Sequence, residues 1–419
     1  MKYGDMKAKL QDLLSSCRRL TICLDGWTAK GLSHSYLGIS ACFFDPVSYT
    51  PKHATIALLP LPHPHTGSVI FTALEKSLAD WGISSEKVML IVSDNGANVV
   101  KAVKLLQDNA LRIKESQCAV KKTKHAEANI VEEAAQTSAA TGTVANEAMA
   151  DKDTDNEIDE SDNGSIHDES SSADDGTDDE QYDGDDDKEC PEPNLPLPEL
   201  PESVLCRRMP CVAHTLQLVV KQVYRKHYAQ IIMKARKVVS QIRRSSVAVE
   251  KLNRRCGKSL VADCTTRWNS TYMMAQRLLV IKSEVNDVLA EMGIDTLLVS
   301  EWAKLGEMAS LLEPFATQTD ILQTDALSLS YVLPSILELE CHLQNFQSAN
   351  QLTKLMLDDL QSRFSSILNP LCHQFNPLPA AACLLDHTVA PVLFSRDMQH
   401  LLEAAKGYIF SQVIHTVVK

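Results

Sequence analysis

Residues 118–203 divide this chain into two unlike parts. They begin rich in Ala, Thr and Glu, pass into a run of Asp and Glu, and end in the Pro-rich stretch Cys190–Pro201. Such a segment has too few apolar side chains to offset the entropy of ordering it, so a disordered linker is expected there. A packed core has to come from residues 1–117 and 204–419.

The charge follows the same division. The formal net charge of the 419 residues is −13. Residues 151–189 alone hold nineteen Asp/Glu and two Lys, a local net of −17. Residues 205–258 hold fourteen Lys/Arg against one acid, Glu250. The overall sign argues against a nucleic-acid partner, but the distribution points to one. Lys/Arg-dense helix faces bind phosphate through charge and counterion release, with little base preference. Arg207, Arg208, Arg243 and Arg244 are the candidates singled out here, the alternative being an ordinary solvated face. The acidic tract is a solubilising linker or an internal competitor for the basic block.

Residues 1–117 are expected to form a compact α/β unit. Leu20, Ile22 and Leu24 alternate with polar residues, as in a half-buried strand. Tyr36–Phe44 and Thr55–Leu61 are two further strand-like runs. Over Thr66–Trp81, Ile70, Leu74, Leu78 and Trp81 recur at helical spacing. Val88–Val92 is short and continuously apolar, as in a central strand covered on both faces. Val99, Val103 and Leu106 then mark one face of a helix. From 204 onward helical patterns dominate, and Arg267–Thr271 opens one of them.

No apolar run reaches membrane-spanning length, and the start lacks a signal-peptide pattern. Twelve cysteines are spread from Cys17 to Cys383 without a Cys-x-x-Cys pair. They are expected to be thiols in a reducing compartment. A two-pair zinc finger is absent from this chain. Neither a membrane nor a small-molecule substrate is expected as a partner.

Asp25 and Asp94 each end a strand-like run. If the strands are neighbours, the two carboxylates converge at one sheet edge. They would suit Mg²⁺ or Mn²⁺, which favours oxygen ligands and supports phosphoryl transfer. The alternative is a pair of turn or helix-capping aspartates.

Several words in order carry a resemblance. They are Asp25-Gly26-Trp27-Thr28, His65-Thr66-Gly67, Trp81-Gly82-Ile83 and Ser93-Asp94-Asn95-Gly96. Cys211-Val212-Ala213-His214, Thr266-Arg267-Trp268-Asn269 and Leu312-Glu313-Pro314-Phe315 follow. Together they resemble the transposase domain of the hAT superfamily, above all its domesticated members that bear BED-type zinc fingers.

The resemblance implies an RNase H-like core, a mixed sheet flanked by helices. A disordered acidic linker and a large all-α insertion domain would interrupt it. The expected divisions are a first part of the core at 1–117, the linker at 118–203, a return to the core at 204–225 and the helical domain at 226–419. The catalytic, metal-binding acids would be Asp25 and Asp94. The family's third acid, a Glu, lies in a C-terminal region that also dimerises and is expected to follow residue 419. Glu301, Glu307 and Glu313 fall within the insertion domain.

Cys211 and His214 match a word placed beside the active site, where they would support the metal carboxylates or the scissile phosphate. A zinc site there would need two more ligands, Cys206 being one candidate, and a hydrogen-bonded core pair is the alternative. Arg267 would pair with phosphate. Trp268 would stack beside DNA or fill the core. Trp27 would pack under the metal site.

The expected function is that of a nuclear, DNA- or chromatin-associated regulator descended from a transposase and without its activity. A fragment of an active metal-dependent transposase and a protein-interaction scaffold are the rivals.

Overall fold

The computed structural model describes residues 3–28, 34–45, 47–113, 115–116, 206–264, 267–324, 329–346 and 350–417. The linker expectation and the acidic tract lie outside these residues.

Helix α1 (Tyr3–Ser16) leads into strands β1 (Leu20–Thr28), β2 (Ser35–Asp45) and β3 (Thr50–Leu61). Helix α2 (Gly67–Asp80), strand β4 (Val88–Ser93) and helix α3, over 97–113, follow. The chain returns at 206 into strand β5 (Arg207–Pro210). The five strands lie in the order β3-β2-β1-β4-β5. The first three are antiparallel neighbours, whereas β1, β4 and β5 run parallel.

Alternation decides which face each side chain takes. Ile22, Leu24, Ile39 and Ile91 are buried on one face with α1, α2 and α3. Leu90 and Met209 are buried on the other, in the core of the helical region. This explains the uninterrupted apolar run of β4, whose two faces are both covered. Thr66 caps α2 with its side chain on the Val69 N–H, and Ile70, Leu74 and Leu78 are buried. The expected element thus starts and ends within one residue of its sequence signals.

After β5 the described residues are helical. They form α4 (Val212–Val223), α5 (Ala229–Arg244), α6 (Ser246–Cys256), α7 (Trp268–Val280) and α8 (Lys282–Glu291). Beyond these come α9 (Val299–Leu322), α10 (Val332–Asn345), α11 (Asn350–Arg363), α12 (Ser365–Leu368), α13 (Leu378–Leu385) and α14 (Gln399–Val417). A π-helical turn, Tyr224–Tyr228, joins α4 to α5. Pro314 sits inside α9 and withholds one helical N–H. His342 hydrogen-bonds through Nε2 to the Leu311 carbonyl in the same turn.

Two expectations change here. Arg207 and Arg208 are strand residues, not part of a helix face. Cys206 lies at the opposite end of β5 from Cys211, five residue steps or about 16 Å away along an extended chain. It is fully buried and its N–H donates to the Val88 carbonyl at 2.8 Å. It therefore does not join Cys211 and His214 as a ligand.

Candidate functional site

The two acids converge as their strands require. Cys23 on β1 is in parallel register with Val92 on β4. Asp25 and Asp94 each lie two residues further on, so they share the C-terminal edge of the sheet and one of its faces. Ser93 in turn pairs with Pro210, which brings Cys211 to the same edge. The Cys211 N–H donates to the Ser93 carbonyl at 2.6 Å, fastening the start of α4 to the end of β4. Ligand sites of parallel sheets form at this edge, where strand ends meet helix starts.

The electrostatics confirm the proximity. Asp25 is exposed as a residue, yet protein atoms hem in its carboxyl. Burial raises its pKa most, the Asp94 carboxylate raises it further, and His214 and Arg267 oppose both. Asp94, His214 and Arg267 thus all lie within electrostatic reach of Asp25, although Asp25 and Arg267 are far apart in sequence. Burial also raises the Cys211 thiol. The N–H groups of His214 and Ala213 pull it down, while Asp25 and Asp94 push it up. The net effect keeps the thiol in its neutral form at neutral pH.

The Asp94 carboxylate is set by its own turn. Its Oδ1 accepts from the Gly96 N–H at 3.2 Å, just before α3 begins. The turn reading therefore holds for Asp94 alongside the convergent-acid reading; one geometry serves both. Arg208 Nη2 donates to the Asp94 carbonyl at 2.7 Å and to Asn95 Oδ1 at 2.6 Å. This guanidinium was expected on phosphate. It instead bonds within the chain to residues 114 positions away, a separation that leaves no local sequence signal.

The two tryptophans take different places. Trp27 is 44% exposed and stacks on Tyr36, with ring centroids 6.0 Å apart. Its ring lies over Gly38, where an added Cβ would come 3.1 Å from Trp27 Cζ3. Gly38 pairs with Asp25 across the strands, so Trp27 lies beside the acid on the surface, not beneath it. Trp268, read as stacking beside DNA or filling the core, is 4% exposed and belongs to the helical core. The Tyr224 hydroxyl donates to its carbonyl. Its neighbour Arg267 is exposed and takes the position facing the acids.

Much of the basic block is engaged internally. Lys234 pairs with Glu301, Arg236 with Asp263, Lys251 with Glu291, Arg254 with Glu250, and Arg255 with Asp287 and Glu291. The ordinary-face reading accounts for these. Arg243 and Arg244 are exposed in the last turn of α5, and no carboxylate pairs with them among the described residues.

Two carboxylates and no third suited ligand define what the site can hold. Among the described residues there is no group of three or more metal-ligating side chains. The hard oxygen donors of Asp25 and Asp94 still fit a Mg²⁺-like cation that keeps waters for its remaining positions. Their mutual repulsion is what such a cation relieves.

A mixed sheet ordered β3-β2-β1-β4-β5, with one acid within β1, a second just after β4 and a helical region beyond β5, defines an RNase H-like architecture. Comparison with known proteins agrees. Residues 23–121 match the family profile of the ZBED1 RNase-like domain, and residues 209–310 that of the ZBED1 RNase-like helical domain. The human zinc finger BED domain-containing protein 4 is 24% identical over 196 residues, covering 45% of this chain. The chain spans only 17% of that relative's length. By these matches the chain is similar to the domesticated, hAT-derived proteins of the BED type.

Proposed function

We propose that this chain is a nuclear DNA-binding protein, acting as a DNA- or chromatin-associated regulator without transposase activity of its own. The observation that carries the reading is the pairing of β1 with β4, which brings Asp25 and Asp94 side by side with Arg267 and His214 within electrostatic reach. Cationic and carboxylate groups side by side suit a nucleic-acid backbone, the cationic ones directly and the acids through a bridging divalent ion. Arg243 and Arg244 add exposed positive charge in the helical region. The RNase-like family match supports DNA as the partner.

Asp25 and Asp94 would hold the cation. When bound, it supplies charge neutralisation and an activated water for phosphoryl transfer. Arg267 orients the phosphate, His214 offers a ring nitrogen beside Asp25, and the Asp94 turn fixes one carboxylate. Two protein carboxylates suffice for one ion with waters, whereas cleavage by a two-metal route needs a further acid. A fragment of an active metal-dependent transposase is the second reading, favoured by the retained placement of both acids. A protein-interaction scaffold is the third.

Binding of a labelled duplex at ~150 mM salt tests the first reading. The Arg267→Gln variant and the Arg243→Gln/Arg244→Gln double variant should each weaken it. The double variant should flatten the slope of log K against log salt by about 1 to 2. Duplex binding unaffected by all three changes favours the scaffold. Cleavage of nicked or branched DNA with Mn²⁺, lost in Asp25→Asn, favours the active fragment.

A further inference from the structure

We propose that Arg208 is a positioning residue for the acid pair, acting through the turn Ser93-Asp94-Asn95. Its guanidinium meets three acceptors on three successive residues. Nε donates to Ser93 Oγ at 3.2 Å, and Nη2 donates to the Asp94 carbonyl and to Asn95 Oδ1 at 2.7 and 2.6 Å. Ser93 Oγ closes the set by donating to the same Asp94 carbonyl at 3.0 Å. These three acceptors all lie in the turn that carries the second acid.

The face from which Arg208 acts is what makes this a device. Arg208 is in register with Ile91, and Met209 with Val92. By strand alternation Arg208 shares the face of Ile91 and Ser93, opposite that of Leu90, Val92 and Asp94. The arginine therefore grips Asp94 by its carbonyl from the far side of the sheet. It fixes where the carboxylate points without placing its charge against it. The carboxylate is left open to a cation on its own face. An arginine facing the carboxylate would form an ion pair and close the site.

Arginine is required by the chemistry. The Nε and Nη2 donors lie along one planar edge and reach separate acceptors at fixed spacing. A lysine ammonium would reach one of these acceptors and leave the turn free to pivot about it. The linkage also spans 113 to 115 positions of the chain, since β5 follows the whole 118–203 segment. Pairing of β5 with β4 thus delivers the clamp to the acid.

The proposal rests on the reading that Asp25 and Asp94 hold a divalent cation, but its test separates the two. Hydrogen exchange of the full chain without metal reports the clamp alone. In Arg208→Gln the Gly96 and Cys211 amides, which bond to the turn, should exchange at least tenfold faster. Amides of β1 and β2 should keep wild-type rates. Arg208→Lys should fall between the two. Unchanged exchange at Gly96 and Cys211 in Arg208→Gln overturns the proposal, as does loss of DNA affinity with those amides still protected. That last result returns Arg208 to a phosphate contact. If Arg208→Gln does not fold, Asn95→Ala removes one acceptor and should speed Gly96 exchange by a smaller factor; no change there has the same overturning force.

Mn²⁺ titration followed by electron paramagnetic resonance then reads the site. Wild type should bind, Asp94→Asn should not, and Arg208→Gln should bind about tenfold more weakly. Equal binding by wild type and Asp94→Asn ends the cation reading while the exchange result still decides the clamp. Wild-type Mn²⁺ affinity in Arg208→Gln overturns the positioning role.

Discussion

Arg236 holds Asp263 through both Nε and Nη2, at 2.8 and 2.6 Å, while the Thr271 hydroxyl donates to the same carboxylate oxygen at 2.9 Å. The Asp263 side chain is 8% exposed and that of Arg236 37%. The contact ties the basic helix α5 to α7, which starts beside Arg267. Removing one partner of a buried pair leaves the other charge uncompensated. Asp263→Ala should lower stability by about 2–3 kcal/mol, somewhat below the range for a fully buried pair. The urea midpoint reads this. An unshifted midpoint would show that the pair behaves like a surface ion pair.

Trp268 should matter to folding before it matters to DNA. Its indole is in the core, so Trp268→Ala should cost about 3–5 kcal/mol. Trp268→Phe should keep the fold at a much smaller cost. Duplex affinity of the phenylalanine variant should stay within about twofold of wild type, since ring stacking worth about 1–3 kcal/mol would cost far more if lost. A folded Trp268→Phe protein that fails to bind DNA would falsify the core assignment for the bound state.

Asp25 should oppose folding at neutral pH. Its folded pKa is raised, first by burial and then by Asp94, above its unfolded value. The folded state therefore holds the proton more tightly. The stability this gives is full below the ordinary carboxylate range and is lost as pH rises through the folded pKa. At pH 7 the ionised group is a cost that Asp25→Asn removes. Because the residue is exposed, solvent screens much of the effect, and a Tm rise of about 1 °C is expected. Near pH 3 the difference should vanish. Scanning calorimetry at both pH values checks the sign.

Gly67 opens α2 against the first turn of α3. A Cβ there would fall 2.8 Å from Lys101 Cβ and Cγ and 3.0 Å from the Asn98 carbonyl oxygen. None of these atoms is the loose end of a flexible side chain. Gly67→Ala should force the two helices apart at a cost of about 1–3 kcal/mol, whereas Gly4→Ala, with nothing near, should be neutral. Thermal unfolding of the two variants makes the comparison. Equal Tm values would mean that α2 and α3 can separate freely.

The sheet was legible wherever burial wrote itself as a pattern. Leu20–Leu24, Tyr36–Phe44 and Val88–Val92 each signalled a strand that exists. The first half of β3, Thr50–Ala54, carries exposed or half-exposed side chains, so no apolar alternation announces it. Helix α1 buries Leu14 alone and gave no stripe to read. Strand β5 is four residues long, two of them arginines, and composition alone assigned it to a basic helix.

In the candidate site, Asp25, Asp94, His214 and Arg267 could be named because Asp25 closes the apolar alternation of β1 and the others stand at a strand end or helix start. Arg208 and Trp268 could not be assigned their places. A guanidinium in a basic block and an indole after an arginine look alike in sequence whether they face solvent or the interior. Only the β4–β5 pairing and the packing of α4 against α7 decide between those outcomes.

Gln107 on α3 donates to the Cys206 carbonyl at 2.7 Å, and the Cys206 N–H donates to Val88 on β4. The chain on each side of 118–203 is therefore fastened to the same sheet by contacts that do not run through that segment. A peptide bond cut within it should leave two polypeptides that remain together. Made separately, they should find each other as the halves of a split protein, with β5 of one completing the sheet of the other.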